Sequence, residues 1–208
     1  IFPRSLNYLP LVAAVGVALL GGGVTFGIWY YFSPKNTAIG YAPEQPVPYS
    51  HKLHAGDLGI ECRYCHANIE RSHEAMVPPT QACMGCHAVV KKDSPKLTAV
   101  RASWSSGNPV EWVRVHRLAD YVFFDHSVHL AAGVGCVSCH GRVDQMDVVR
   151  QDQPLNMGWC LDCHRDPGKH LRPKDQITNM TWTPTPDEAA QLAQSTLRGP
   201  EQCSGCHR

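Results

Sequence analysis

The sequence predicts short α-helices and loops with little sheet, built around something other than a side-chain core and preceded by one N-terminal transmembrane helix. Three observations predict this. The form Cys-x-x-Cys-His occurs five times, at Cys62–His66, Cys83–His87, Cys136–His140, Cys160–His164 and Cys203–His207. Aromatic content is only 8% against 17 Gly and 16 Pro, a poor supply for a conventional core. Residues 11–32, LVAAVGVALLGGGVTFGIWYYF, are uncharged and largely apolar.

The repeated form is the attachment signature of c-type haem. Two thiols add to the two vinyl groups of the porphyrin, and the adjoining histidine supplies an imidazole nitrogen to one face of the iron. The thioether positions are Cys62 and Cys65, Cys83 and Cys86, Cys136 and Cys139, Cys160 and Cys163, and Cys203 and Cys206. All ten cysteines are used and none is left over. The proximal ligands are His66, His87, His140, His164 and His207.

Other readings of the cysteines explain less. Seventeen residues separate Cys65 from Cys83 and twenty separate Cys139 from Cys160, both of which fit zinc ribbons. Two ribbons would leave Cys203 and Cys206 without partners, and zinc does not call for a histidine after every second cysteine. A disulfide framework leaves the histidines equally unexplained. A thioredoxin-type C-x-x-C needs a βαβ context that is absent. Five haem c in the 147 positions from Cys62 onward make the porphyrins themselves much of the apolar interior.

Taken in order, the chain divides into an anchor (1–32), a Pro-rich linker (33–50) and a pentahaem region (51–208). The anchor's 22 apolar residues suffice to cross the hydrocarbon core, which takes about 20 helical residues. Trp29, Tyr30 and Tyr31 suit an interfacial belt. A buried core helix would show a polar face, and this run has none. A cleaved signal peptide would have a shorter apolar region ending in small residues, so an uncleaved anchor is expected. Arg4 before the run and Lys35 after it say little about orientation. c-Type haem is attached outside the cytosol, which puts everything after Ser33 on the periplasmic side of the cytoplasmic membrane. Gly16, Gly21–Gly23 and Gly27 leave one side slim for packing on partner helices. Pro34, Pro43, Pro46 and Pro48 make the linker an extended strap lying over a partner.

An internal repeat follows. Tyr49-Ser50-His51-Lys52-Leu53-His54 precedes the first site, and Phe124-Asp125-His126-Ser127-Val128-His129 precedes the third. Each block is aromatic-x-His-x-x-His, a Gly-bearing spacer, then the haem form, with a second site close behind. Two-haem units at about 51–87 and 126–164 result, with the fifth haem at 203–207. Histidines at i and i+3 share one side of a short helix, so one can reach its own haem and the other a neighbour. Between the units, Ser103–Pro109 is a turn-rich loop and Val110–His116 a short strand or strap. Thr185-Pro186-Asp187-Glu188 is a helix start, with Thr as N-cap, Pro next and Glu at the third position. Ala189, Leu192, Ala193 and Leu197 mark that helix's face, and Gly199-Pro200 ends it.

His51, His54, His126 and His129 are the expected distal ligands. For the fifth iron the candidates are His116, His73, His170 and Met146, a methionine raising the reduction potential relative to histidine. Histidine supply exceeds demand, so open iron faces are not expected and the chain reads as a wire rather than a catalyst. A net charge of +1 gives no electrostatic case for nucleic acid.

The anchor, the five sites and the run Trp112-Val113-Arg114-Val115-His116 through Asp125-His126-Ser127-Val128-His129 resemble the pentahaem cytochrome c subunit (ActA-type) of alternative complex III. Val77-Pro78-Pro79-Thr80-Gln81-Ala82 leading into the second site and Leu155-Asn156-Met157-Gly158-Trp159 leading into the fourth carry the same resemblance. It implies a multihaem cytochrome c in a membrane quinol:acceptor oxidoreductase. The implied partners are an iron–sulfur subunit, polytopic quinol-binding subunits and a monohaem cytochrome c, and electrons would pass toward a cytochrome c or terminal oxidase. It also implies mostly bis-His haems with at most one His/Met haem. A quinol dehydrogenase of the NapC/NrfH kind is the alternative. That family places Met two residues after the first motif's His, where Asn68 stands here, and lacks the His-x-x-His blocks. A catalytic multihaem reductase would need a high-spin iron with a vacant or Lys-bound face.

Overall fold

The computed structural model describes residues 3–33, 36 and 38–207. Pro34 of the strap and Lys35 lie outside the described residues. The architecture is helical. Its only pairings of β type among the described residues are two isolated antiparallel bridges, Val122 with His207 and Val134 with Leu171.

A 3-10 turn, Arg4–Tyr8, runs into helix α1, Leu9–Tyr31. Pro10 sits in its first turn, where a missing N–H costs nothing. No residue of α1 is buried, so its apolar surface faces outward on all sides. A helix apolar all round is what a membrane span requires. A signal segment meets the same description.

The strap lies on the chain's own domain. Gly40 N donates to Gln151 O and Gln151 N to Tyr41 O. The Gln45 amide brackets Val113, giving Nε2–H to its carbonyl at 2.9 Å and accepting its N–H at 3.0 Å. Val47 is buried. The Val110–His116 segment is thus an extended strap, and no strand forms there.

The site-bearing helices are short. A π-wound turn, Lys52–Asp57, follows His51. Then come α2 Cys62–Cys65, α3 Thr80–His87, α4 Thr98–Ser106, α5 His126–Ala132, α6 Val137–His140, α7 Met157–Arg165, α8 Pro186–Ala193 and α9 Cys203–Cys206. Side-chain caps start several of them. Glu61 accepts from Arg63 N, Asp125 from Ser127 N and Val128 N, and Asn156 from Trp159 N. Thr185 and Glu188 form the reciprocal capping box that the sequence announces.

Two elements differ from the sequence reading. Ser103–Ser106 belong to α4, which ends only at Gly107 (φ +75°), so the turn-rich loop begins four residues late. Helix α4 is tied to α3 through the Thr80 and Ser103 hydroxyls, 2.6 Å apart. Helix α8 stops at Ala193, so Leu197 lies in the following loop.

The side-chain core is thin. The buried apolar residues among those described are Val47, Val100, Leu130, Met146, Leu171 and Ile177. Such a set is too small to hold a domain of this length by side-chain burial alone. The sequence expected the same shortage.

Candidate haem-binding sites

All ten cysteines are free, and none is bridged to another. Among the described residues no cluster of three or more His, Cys, Asp or Glu closes round a bare ion, as a zinc ribbon would require.

The histidine pairs are informative. His54 and His87 have ring centroids 6.2 Å apart, His126 and His140 6.4 Å, and His129 and His164 6.1 Å. Two imidazoles bound on opposite faces of one metal, each by a bond of about 2 Å, hold their centroids about 6.3 Å apart. The three observed spacings match that requirement. The His51 ring is held near pKa 4 by burial first, then by His66 and by His54.

Six other histidines commit Nδ1 to a backbone carbonyl, whereas His51 Nδ1 is buried without a hydrogen-bond partner. His66 Nδ1 lies 2.8 Å from Met76 O, His87 Nδ1 2.9 Å from Val90 O, and His164 Nδ1 2.8 Å from Pro200 O. Among the expected distal histidines, His54 Nδ1 meets Ser50 O at 2.8 Å, His126 Nδ1 meets His73 O at 2.8 Å, and His129 Nδ1 meets Asp125 O at 2.7 Å. An imidazole whose Nδ1–H donates to a carbonyl presents Nε2 as a bare lone pair, the tautomer that ligates iron. His140 differs. Its Nδ1 lies 3.3 Å from His116 Nε2, with the two rings edge to face at 4.5 Å. Burial first, then His116, His126, His66 and His51, hold the His140 ring near pKa 3. The buried rings of His51 and His140 are therefore neutral at pH 7, as metal binding needs.

The two His-x-x-His blocks share one geometry. Tyr49 stands edge-on to His51 at 4.8 Å and stacks on His54 at 4.5 Å. Phe124 stands edge-on to His126 at 4.7 Å and stacks on His129 at 4.6 Å. Ser50 and Asp125 occupy the same place in their blocks, and each offers its carbonyl to the second histidine.

For the fifth-ligand candidates, the described hydrogen bonds are made by the ring of His116 and by the backbones of His73, His170 and Met146. His116 backs His140. His73 offers its carbonyl to both the N–H and the Nδ1 of His126. His170 ends the 3-10 turn Gly168–His170, where its carbonyl accepts from Gly135 N. Met146 is buried beside the π-wound turn, its carbonyl accepting from Lys52 N. The ring described against His207 is that of Tyr121, at 5.7 Å.

Burial first, then Cys136, pushes the Cys62 thiol up to about 11. Burial, then Cys163, Cys160 and Cys136, pushes Cys139 up to about 12. The carbonyl acceptors were beyond sequence reasoning, since a backbone oxygen has no residue signature. Only His73 drew attention, and for its ring.

Residues 122–208 match the family described as cytochrome c7 and related cytochrome c, and residues 32–117 match the class III cytochrome C family. The chain is 38% identical over 144 residues to a protein of Nitratidesulfovibrio vulgaris named menaquinone reductase, multiheme cytochrome c subunit. That alignment covers 58% of this chain and 68% of the relative.

Proposed function

This chain belongs to the multihaem cytochromes c, and from that premise we propose that it carries five haem c as the electron-transfer subunit of a membrane quinol:acceptor oxidoreductase of the alternative complex III kind. Haem iron held by two imidazoles exchanges single electrons and offers no open position to a substrate. The observation that carries this reading is the 6.1–6.4 Å spacing of three histidine pairs, each joining a Cys-x-x-Cys-His imidazole to one from a His-x-x-His block. In the proposed assignment His51 serves the first site, His54 the second, His126 the third and His129 the fourth. His116 and His73 are supporting groups, and the second face of the fifth site has no assigned ligand.

The anchor α1 would hold the domain at the periplasmic face of the cytoplasmic membrane. The iron–sulfur, polytopic quinol-binding and monohaem cytochrome subunits would surround it. The name of the 38% identical relative favours a second reading, in which electrons pass toward menaquinone rather than away from quinol.

Purification of the complex in mild detergent tests the first reading. Pyridine haemochrome analysis should give five haems per chain. Low-temperature EPR should be dominated by low-spin signals, and a dominant high-spin signal would point to a catalytic reductase instead. Added quinol should reduce the haems of the intact complex. If instead pre-reduced haems are oxidised by menaquinone while quinol leaves them oxidised, the menaquinone-reducing direction replaces the first.

A further inference from the structure

We propose that the five attachment sites form one unbranched line in the order two, one, three, four, five, so that sites two and five are its ends. The proposal rests on the reading that every Cys-x-x-Cys-His holds haem. Two of the four junctions are His-x-x-His blocks, and the other two are made by loop segments.

Sites two and one are joined by the first His-x-x-His block. His54 faces His87 at 6.2 Å, and Ile60, two residues before Cys62 of site one, donates its N–H to His54 O at 2.9 Å. Tyr64, between the cysteines of site one, sets its hydroxyl beside Gly85, between those of site two.

Sites one and three are distant in sequence, yet they meet. His126, paired with the site-three imidazole, gives both its backbone N–H and its Nδ1 to the carbonyl of His73. His73 lies in the loop that runs from His66 to Met76, whose carbonyl holds His66 itself. One loop therefore positions an imidazole of each site. On the other side, Arg63 of site one donates to Thr178 Oγ1 at 3.4 Å, and the neighbouring Ile177 carbonyl accepts from Cys136 N of site three at 3.1 Å. Arg63 acts on the Cys136 thiol as well, in keeping with this closeness.

Sites three and four are joined by the second block, where His126 faces His140 and His129 faces His164. Sites four and five share the segment 199–201. Pro200 O accepts from His164 Nδ1, Gly199 N donates to His164 O at 3.2 Å, and Glu201 pairs with Arg165 at 3.0 Å. A Cβ on Gly199 would run into the His164 ring, so only glycine lets the chain pass there on its way to Cys203.

Spatial order thus departs from chain order at one place. Site one, not site two, adjoins site three. The ends carry the more exposed cysteines, Cys86 and Cys203, which suits sites at which electrons enter and leave.

The test is the set of iron positions in the purified, haem-loaded protein, read from a cryo-EM or anomalous-scattering map, with haem content measured on the same sample. The four shortest iron–iron separations should be two–one, one–three, three–four and four–five. A shorter two–three than one–three separation, or a second close neighbour for site two or five, overturns the order. A content below five haems per chain overturns the underlying reading instead, because a site is then empty.

Discussion

At the scale of single residues, what distinguishes one site from another is the group behind each proximal imidazole. His66, His87 and His164 give Nδ1 to backbone carbonyls, which mutation cannot remove. Two of these carbonyls sit beside left-handed, non-glycine residues: Met76 itself (φ +55°) and Lys91 (φ +49°), which follows Val90. Such conformations cost about 1–3 kcal/mol and persist where the surroundings dictate them. His140 alone has a side chain behind it, His116. An acceptor there makes the imidazole a stronger donor to iron and favours the ferric state. Replacing His116 with Phe removes the acceptor, while Gln keeps one. His116→Phe should raise one haem potential by tens of millivolts, since a tenfold change in relative affinity is about 59 mV for one electron. His116→Gln should stay near the parent value. Redox titration followed by absorption reads both, and equal shifts in the two variants would mean that His116 acts by packing alone. A second residue-scale expectation concerns His54. His54→Ala should convert one haem to high-spin, whereas His54→Met should leave it low-spin at a higher potential. EPR and titration report the outcome.

At the scale of elements, the short helices exist to present ligands, and their caps carry that task. Helix α5 is seven residues long, too short to be stable alone. Asp125 starts it, accepting from Ser127 N, Ser127 Oγ and Val128 N. The Ser127 hydrogen bond is the main reason its carboxyl stays below the ordinary range. Asp125→Ala should loosen the helix that holds His126 and His129 together, giving high-spin signals from two haems at once. Asp125→Asn, which caps equally well, should not. Asn156→Ala at the start of α7 should cost about 1 kcal/mol, measured as a lowered denaturation midpoint. Elements were legible where sequence chemistry is local. The capping box at Thr185 and the two His-x-x-His blocks could be read directly. Helix α4 could not, because Thr98–Ser106 carries Thr and three Ser and its stability comes from the Thr80–Ser103 contact and the buried Val100. The strap's fate was equally hidden. Its prolines predict extension, while its partner is fixed by Gln45 meeting Val113 68 residues away.

At the scale of the whole molecule, two halves of different sequence meet at several hydrogen-bonded places, and the apolar helix stands apart from both. The halves match two multihaem families separately, over 32–117 and 122–208. Among the contacts that join them are the loop 66–76, the Arg63–Thr178 contact, the Gly40–Gln151 pairing, Lys52 N with Met146 O and Ser50 with Asp147. The attachment sites were readable from ten cysteines and five histidines. Their order in space was not, because the carbonyl of His73 sets it and long-range pairing leaves no mark in composition. Helix α1 contributes nothing to this arrangement, having no buried residue of its own. Deleting residues 1–33 should therefore release a soluble domain with an unaltered low-spin spectrum and five haems, provided a cleavable export signal replaces the deleted segment. Absorption and EPR of the soluble fraction measure this. If the truncated chain is exported but loses haem or turns high-spin, the helix is part of the haem domain's fold and not only its tether.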